Sequence, residues 1–581
     1  MALATVDIAI IVSFMSVTML IGLVASRRGS RDSASFFLGA RRMPWWLLGM
    51  SMVATTFSTD TPNLVTDIVR TEGVSGNWSW WSFLLTGMLT TFVFARLWQR
   101  LGVTTDIEFY EKRYSGKAAS FLRGFRAIYL GVFFNVMIIG LVTLAAIKIG
   151  GVMIGLSPEA MVLVAGLVTV VFSAASGFIG VVITDLVLFV IAMAGAITAA
   201  WFALDHPMVG GLEGLKSHPA VSGNIGVFPD FGDASTWIPL FLVPLAVQWW
   251  AAWYPGSEPG GGGYVAQRML AARNESHAVR AVAFFNLAHY ALRPWPWIIV
   301  ALASLIVYPD LDSLRVAMPQ VDPAIIGNDL AYPAMLTLLP AGVLGFVVAS
   351  LVSAYISTVS SHLNWGASYI VNDVYARFID PSATPRRQVL VARLSTIGLM
   401  AIAALIALAL ESAFQAFRLI LTIGAGTGLL FILRWFWNRI NAWSEISAMV
   451  FSLLVSVTME FVAPVNLEPW EVFLVSVGLT TAGWVGITLL TRAEPDDVLA
   501  SFHASIRAAG SAEGFRREIR LGIGIAVACA VFIYSLLFGM GAILFGGNED
   551  VAVWLGLAAI SATAGTRLSR MSANVPHGTR S

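Results

Sequence analysis

Long apolar runs constrain this chain more than any other feature of its sequence. A helix needs roughly 20 mostly apolar residues to cross a bilayer, and the sequence holds about fifteen such runs. They are predicted at 5–25, 44–69, 77–99, 127–150, 159–178, 180–204, 236–254, 277–308, 333–366, 388–410, 411–435, 441–463, 469–491, 519–546 and 551–566. Only 12% of the residues are charged, about half the usual share for a soluble domain. The sequence therefore predicts an all-α, polytopic membrane protein in contact with the lipid bilayer, and excludes a soluble enzyme.

The positive charges predict the orientation of the chain. If every run crosses the bilayer, most of the 35 Lys and Arg residues fall on one side, and the other side receives Arg70, Lys216 and Arg315. Because cytoplasmic loops carry an excess of these residues, we expect the N-terminus outside and the C-terminus in the cytoplasm. Arg27 and Arg28 follow the first run, which favours an uncleaved anchor over a secretory signal. The expected location is the plasma membrane, a bacterial inner membrane.

Several functions are excluded by what the sequence lacks. It contains no GxxxxGK[ST] phosphate loop, so ATP-driven pumping by this chain is not expected. The single cysteine, Cys529, excludes a disulfide scaffold and a thiolate metal site. The net charge of +1 gives no reason to expect a nucleic-acid partner. Because no HExxH or HxxxH pair exists, we expect neither an intramembrane enzyme nor an organic cofactor.

Polar residues interrupt the second apolar run. Pro62 cannot donate to the helix ladder, and its ring disfavours the helical conformation at Thr61. The carbonyl groups of Ser58 and Thr61 should therefore lose their helical partners, with Asp60 between them. A cation would satisfy such carbonyls at membrane depth. The alternative is a proline kink whose carbonyls are satisfied by neighbouring hydroxyl groups.

A stripe of hydroxyl groups is predicted on one face of a later helix. Ala354, Ser357, Thr358 and Ser361 recur at the spacing of one face, with Ser360 beside them. Hydroxyl and carbonyl oxygens suit a hard cation such as sodium, although such residues also join membrane helices to each other. Asp185, a lone carboxylate near the start of another apolar run, is either an interfacial residue or a cation ligand.

Three segments, in this order, resemble the sodium:solute symporter family, which includes bacterial proline permeases and sodium/galactose transporters. Residues 58–61 resemble the family's small-Ser-Asp/Asn-apolar break, and 264–273 resemble its Q-R-x-L/M-A-A-basic loop. Residues 357–375 are similar to its S-[ST]-x-x-S helix that ends in D-[LIV]-Y. The match extends to about residue 440. The chain differs from sugar-transporting members before Gln267, where it reads PGSEPGGGG, and this difference favours a solute other than a sugar.

The resemblance implies a five-plus-five inverted-repeat core, as in leucine-type transporters. It places a peripheral helix and cytoplasmic loop at 1–43, the first repeat at 44–204, an extracytoplasmic loop at 205–235, the second repeat at 236–435 and peripheral helices at 436–581. The implied function is sodium-coupled import of a small organic solute by alternating access, with sodium as the coupling ion. Proton coupling through Asp60 or Asp185 and a transport-like solute sensor are the alternatives.

The resemblance also implies two cation sites. In the first, the carbonyl groups of Ser58, Thr61 and Ala354 and the hydroxyl groups of Ser357 and Thr358 bind one sodium ion. In the second, Asp185 binds a further sodium ion together with Ser357, Ser360 and Ser361. The alternative for the second is that Asp185 guides a single ion as it leaves. Asp60 and Pro62 are assigned to the helix break and to gating.

Solute recognition is predicted on another helical face. Asn286, His289 and Arg293 are spaced i, i+3 and i+7, which is one side of a helix. We expect Asn286 and His289 to contact the solute and Arg293 to favour an anionic group such as a carboxylate. The alternative is a buried pair of Arg293 with an acidic residue. Gln248 is a further candidate for solute binding.

Overall fold

The computed structural model describes residues 3–26, 37–319, 321, 326–410, 420–459, 467–507 and 512–573. Within these ranges the chain is all-helical and contains no β-strand. Parts of the predicted runs 411–435 and 441–463 lie outside the described residues, as do Arg27 and Arg28.

The α-helices of the first half are α1 Thr5–Ser26, α2 Trp45–Thr55, α3 Asp60–Glu72, α4 Trp78–Trp81, α5 Leu84–Leu89, α6 Ala95–Leu101, α7 Phe109–Arg113, α8 Gly116–Ile128, α9 Asn135–Ile154, α10 Pro158–Asp205, α11 Gly211–Ser217, α12 Pro219–Ser222, α13 Ala234–Trp237 and α14 Trp249–Ala251. Those of the second half are α15 Gly263–Ala271, α16 Glu275–Asn286, α17 Trp295–Val307, α18 Leu311–Ala317, α19 Ala331–Leu336, α20 Val343–Tyr369, α21 Pro385–Ala409, α22 Gly428–Leu433, α23 Ala442–Val457, α24 Pro469–Leu490, α25 Asp496–Ile506, α26 Ala512–Phe545 and α27 Asn548–Ala573. Wider π-helical turns occur at Thr90–Phe94, Tyr129–Phe134, Ile238–Leu242, Pro244–Gln248, Leu287–Leu292 and Ile370–Ile379, and 3₁₀ turns at Gly39–Arg41, Val74–Asn77, Asp106–Glu108 and Asn328–Leu330.

The helices are long and apolar enough for a polytopic membrane protein. Among the described residues, 10 helical segments have the length and composition to cross a bilayer, and shorter apolar helices accompany them. Each of the predicted runs overlaps helix. The all-α membrane class is therefore confirmed, whereas the count of fifteen crossings stays a prediction.

A single glycine divides the long helix α10. Gly177 has φ 57° and ψ −176° inside this 48-residue element, a conformation that is open essentially to glycine alone. The kink falls where the sequence separates the predicted runs 159–178 and 180–204. The glycine therefore lies at the boundary between two of the predicted runs.

Both predicted repeats begin with an interrupted helix. In the first, α2 ends at Thr55 and α3 begins at Asp60. In the second, α14 ends at Ala251, residues 252–262 are not helical, and α15 begins at Gly263. The second interruption is not predicted from the sequence. Its place at the start of the second repeat supports the boundaries at 44 and 236, which stay predictions.

The interrupted helices pack against the long ones. Helix α2 packs on α10, α16 and α20, and α10 packs along α20. Helix α26 is one of the helices predicted to be peripheral. It packs on α5 and on the Leu287–Leu292 turn. These contacts place the helix before the first interruption beside α20, the helix with the predicted hydroxyl stripe.

Candidate functional site

The first interruption covers residues 56–59, just before Pro62. Pro62 is the third residue of α3, a position where a helix needs no N–H donor from it. The proline therefore starts the second half-helix and does not kink a continuous one. The Ser58 carbonyl group accepts a hydrogen bond from the Thr61 N–H at 3.2 Å, so it keeps one lone pair for another partner. This corrects the expectation of a wholly unpaired carbonyl at Ser58.

Helix α20 supplies a hydroxyl group to this interruption. The Thr358 Oγ1 atom lies 3.0 Å from the carbonyl oxygen of Thr55 and 3.0 Å from that of Phe57. Ser357 points elsewhere, because its hydroxyl group donates to Asp185 Oδ1 at 2.6 Å. Ala354 is buried on the same helix.

A cavity of about 110 Å³ opens beside the interruption. We call it the central cavity. Its polar lining includes Thr55, Thr56, Ser58, Asp60, Thr61, Ser257, His289, Arg293, Thr358 and His362, and its aromatic lining Trp80, Phe83, Tyr254, Tyr264 and Tyr290. Of the predicted first sodium site, the structure thus brings Ser58, Thr61 and Thr358 to one cavity. Ala354 and Ser357 do not line it.

Arg293 lies at the end of the first half-helix. Its Nη1 donates to the Thr56 carbonyl oxygen at 2.9 Å, and the guanidinium group packs over the rings of Phe57 and Trp297. A cation at a helix C-terminus is favourable, since the last carbonyl groups lack helical donors. Arg293 forms no ion pair within the described part of the chain, although the charge of Asp60 acts on it. Its Nε has no hydrogen-bond partner there, so it retains a donor.

The predicted solute-binding face is split in the structure. His289 and Arg293 line the central cavity, whereas Asn286 lines a separate small cavity. The reason is the π-helical turn Leu287–Leu292, which holds more residues per turn than an α-helix and changes the direction of the residues after it. Gln248 is also elsewhere: it donates to the Ser79 carbonyl oxygen and lines a third, larger cavity. Asn286 and Gln248 therefore do not line the central cavity, and the prediction that they bind the solute beside His289 does not fit this structure.

A second polar cluster surrounds Asp185. Ser51 and Ser357 each donate a hydrogen bond to its carboxylate at 2.6 Å. The Arg268 guanidinium group lies 3.9 Å from the same carboxylate and donates to Ser361 Oγ at 2.7 Å. Arg268 thus contributes a positive charge where the sequence predicts a second sodium ion.

The members of this cluster differ in part from the prediction. Ser360 is not among them, because its hydroxyl group donates to the Ser357 carbonyl oxygen of its own helix. Thr55 joins instead and donates to Ser361 at 2.9 Å. Sequence reasoning missed Ser51, Thr55 and Arg268. Ser51 and Thr55 are spaced i and i+4 on α2, which is the one local signal that could have found them.

The fold and the two polar clusters define a class of protein: a polytopic membrane transporter whose helices are interrupted beside a central cavity. The chain belongs to the sodium:solute symporter family, whose profile matches residues 36–451. Membership makes it a sodium-coupled symporter and not an enzyme.

Known proteins similar to this chain agree with that membership. The sodium/glucose cotransporter of Vibrio parahaemolyticus is 25% identical over 85% of this chain and 92% of its own. Sodium/myo-inositol cotransporter 2 of Homo sapiens is 25% identical over 78% of this chain and 70% of its own. A sodium-coupled sialic acid symporter, solved in a substrate-bound outward-open state, has a TM-score of 0.69 at 20% identity, covering 84% of this chain and 99% of its own. The similarity to the sialic acid symporter shows only that the two proteins share a fold.

Proposed function

We propose that the protein imports a small, carboxylate-bearing organic solute together with sodium, through the central cavity. The observation that carries the proposal is the meeting of Thr358, the interrupted helix and Arg293 around one cavity. Thr358 supplies an oxygen ligand for a cation, and Arg293 supplies a hydrogen-bond donor for an anion. The distribution of Lys and Arg supports a plasma-membrane location with the N-terminus outside and the C-terminus in the cytoplasm.

Sodium is proposed to bind where α20 meets the interruption. Thr358 is already within 3.0 Å of two carbonyl oxygens there, and hard cations prefer such ligands. Ser58, Thr61 and Ala354 would add carbonyl groups. Ser357 would join after its hydroxyl group leaves Asp185, which requires a change of side-chain rotamer.

The solute carboxylate is proposed to bind Arg293, with His289 beside it. The Arg293 guanidinium group is held in place by the Thr56 carbonyl oxygen and two aromatic rings, so little side-chain freedom is lost on binding. Its Nε–H is aligned with no protein acceptor among the described residues. A carboxylate satisfies such a donor by a charge-assisted hydrogen bond.

The second sodium site at Asp185 is proposed only for a state in which Arg268 has moved away. In the present arrangement the guanidinium group already neutralises the carboxylate, and a sodium ion beside it would be repelled. Asp185, Ser357 and Ser361 remain the ligands of that proposal.

A second candidate is proton coupling at Asp60, which lines the central cavity and forms no ion pair with any residue the structure describes. Solute binding measured across pH, in sodium and in choline, separates the two coupling ions. Sodium coupling predicts that binding follows the sodium concentration at fixed pH. Binding that follows pH and ignores sodium would favour protons.

The experiment that tests the proposed function is a thermal-shift panel on the purified full-length protein. Each carboxylic acid in the panel is paired with its primary amide, and each pair is measured in sodium and in potassium. We expect stabilisation by some acids and by none of their amides, and only in sodium. Equal stabilisation by acid and amide would refute carboxylate recognition, and equal stabilisation in potassium would refute sodium coupling.

A further inference from the structure

The second interruption, residues 252–262, contains a buried carboxylate. Glu258 is 4% exposed. Its Oε2 accepts the Gly256 N–H at 3.0 Å, whereas its Oε1 has no hydrogen-bond partner within the described ranges. A buried carboxylate oxygen that lacks a partner is costly. A compensating group is therefore expected next to it.

Among the described residues, no positively charged side chain pairs with Glu258. Glu258 forms no ion pair with any side chain the structure describes, and the charge that acts on it is that of Asp106, another buried carboxylate. The two lie on either side of Gly263, whose N–H donates to Asp106 Oδ2 at 2.8 Å. Asp106 has partners of its own in Tyr369 and the charge of Arg434. The local charge around Glu258 is thus negative.

A second buried oxygen without a partner among the described residues belongs to Asn286. Asn286 is fully buried, its Nδ2 donates to the Val282 carbonyl oxygen at 2.8 Å, and its Oδ1 has no partner in the described structure. A methyl group added at Gly87 would clash with this Oδ1. Helix α5 therefore approaches α16 so closely that the amide is held in one position.

Glu258 and Asn286 line one small cavity. Its volume is about 10 Å³, which is the space of about one water molecule or one small ion. The hydroxyl-bearing residues Thr86, Thr90 and Ser257 line it as well, and no basic residue does. The lining therefore offers a carboxylate, an amide oxygen and hydroxyl groups, all of them hard oxygen ligands.

We propose that Glu258, Asn286 and the hydroxyl groups around them bind one sodium ion. The ion would neutralise the Glu258 carboxylate and give the Asn286 Oδ1 a partner. Ser257 lines this cavity and also the central cavity, so the ion would lie next to the solute site, on the interruption of the second repeat. This inference rests on the proposed sodium-coupled function and adds a coupling site that is separate from Thr358.

The test is equilibrium binding of radioactive sodium to the purified full-length protein in lipid nanodiscs, at constant ionic strength. The variant Glu258→Gln removes the charge but keeps an oxygen that accepts the Gly256 N–H. The matched control is Glu549→Gln, the same change at an exposed residue. We expect Glu258→Gln to bind one sodium ion fewer than the wild type and the control. The same number of ions with the same affinity would overturn the proposal.

A second variant covers the case in which Glu258→Gln does not fold. Asn286→Ala removes one neutral ligand, so we expect the number of bound ions to be kept and the affinity of one of them to fall roughly tenfold or more. Unchanged affinity in Asn286→Ala would contradict the site. An infrared carboxylic-acid band of Glu258 that persists at saturating sodium would show that a proton fills the cavity, and this too would overturn the proposal.

The same assay separates this inference from the proposed function. Thr358→Val removes a ligand of the first site and leaves Glu258 in place. If Glu258→Gln binds like the wild type and Thr358→Val binds one ion more weakly, the proposed function stands and this site is refuted. If Thr358→Val binds like the wild type and Glu258→Gln loses an ion, the first site is refuted and this one stands. No sodium binding to the wild type would refute both.

Discussion

At the scale of single residues, the proposed function depends on which polar side chains reach the first interruption. Thr358 and Arg293 are both bonded to carbonyl groups of the first interruption. We propose Thr358 as an oxygen ligand of sodium and Arg293 as a donor to the solute. Changing Thr358 should therefore affect sodium binding more than solute binding, and changing Arg293 should affect solute binding more than sodium binding.

Thr358→Val should weaken sodium binding by roughly tenfold or more, because it replaces a ligand oxygen by a methyl group of similar size. Sodium-dependent thermal stabilisation of the purified protein measures the change. The control is Thr396→Val, since the Thr396 hydroxyl group bonds only to its own helix at Ala392. Equal sodium affinity in the Thr358 variant and the control would contradict the first site.

Arg293→Gln should weaken binding of a carboxylate solute by roughly tenfold to a hundredfold, since a charge-assisted hydrogen bond is lost. The affinity for sodium alone should change much less. Titration of the stabilising acid in saturating sodium measures the first quantity, and titration of sodium without solute the second. A variant that loses sodium binding and keeps its acid affinity would reverse the assigned roles.

Not all of these residue roles could be predicted from the sequence. Local patterns predicted the interruption near Pro62 and the hydroxyl groups of α20. The i, i+3, i+7 spacing placed Asn286 beside His289, and the structure separates them, because helical periodicity does not reveal a π-helical turn. The contact of Arg268 with Ser361 joins residues 93 positions apart. Such a contact depends on packing and leaves no local signal.

At the scale of helices, the sequence predicts the first interruption and the boundary at Gly177 but not the second interruption. Gly177 divides α10 where two apolar runs were predicted to meet. The interruption at 252–262 is rich in glycine and proline, but its composition alone is equally typical of a surface loop. Its burial comes from long-range partners, such as the Trp98 indole N–H that donates to the Gly260 carbonyl oxygen.

Gly177→Ala should destabilise the protein by about 1–3 kcal/mol, because a Cβ atom is strained at this backbone conformation. The thermal unfolding midpoint in detergent measures the loss. Gly151→Ala is the control: it lies within α9 with nothing within 4 Å of an added Cβ, so it should be neutral or stabilising. Equal midpoints for the two variants would show that α10 is not kinked at Gly177.

At the scale of the whole molecule, ionic contacts join the two predicted repeats. Glu111, in the first, binds Arg377 of the second at 2.9 Å and Arg123 at 2.7 Å. Arg123 also contacts Asp373 of the second repeat at 2.7 Å. Although partial burial opposes the charge, hydrogen bonds from Arg377, Ser120 and Arg123 lower the pKa of Glu111 to about 2. Glu111 is thus ionised at neutral pH and forms an ion pair between the two predicted repeats.

Glu111→Gln should loosen this face and increase amide hydrogen exchange within 102–115 and 370–379. Because the pKa of Glu111 is lowered from 4.5 to about 2, its contribution to stability is present above pH 4.5 and is lost as the pH falls toward 2. The variant should lack that contribution at neutral pH. Asp312→Asn is the control, as it removes an exposed ion pair with Arg315 that should stabilise little. Equal exchange in both variants would contradict the assigned role.

The proposed function is sodium-driven movement of the solute through the central cavity. Its most direct test is uptake of the acid found in the thermal-shift panel into proteoliposomes, with sodium outside and a negative potential inside. One charge crossing 100 mV supplies about 2.3 kcal/mol. We predict that the solute accumulates above its external concentration, that accumulation stops when potassium replaces sodium, and that Thr358→Val needs a higher sodium concentration for the same accumulation. Accumulation of the same size without sodium would contradict sodium coupling.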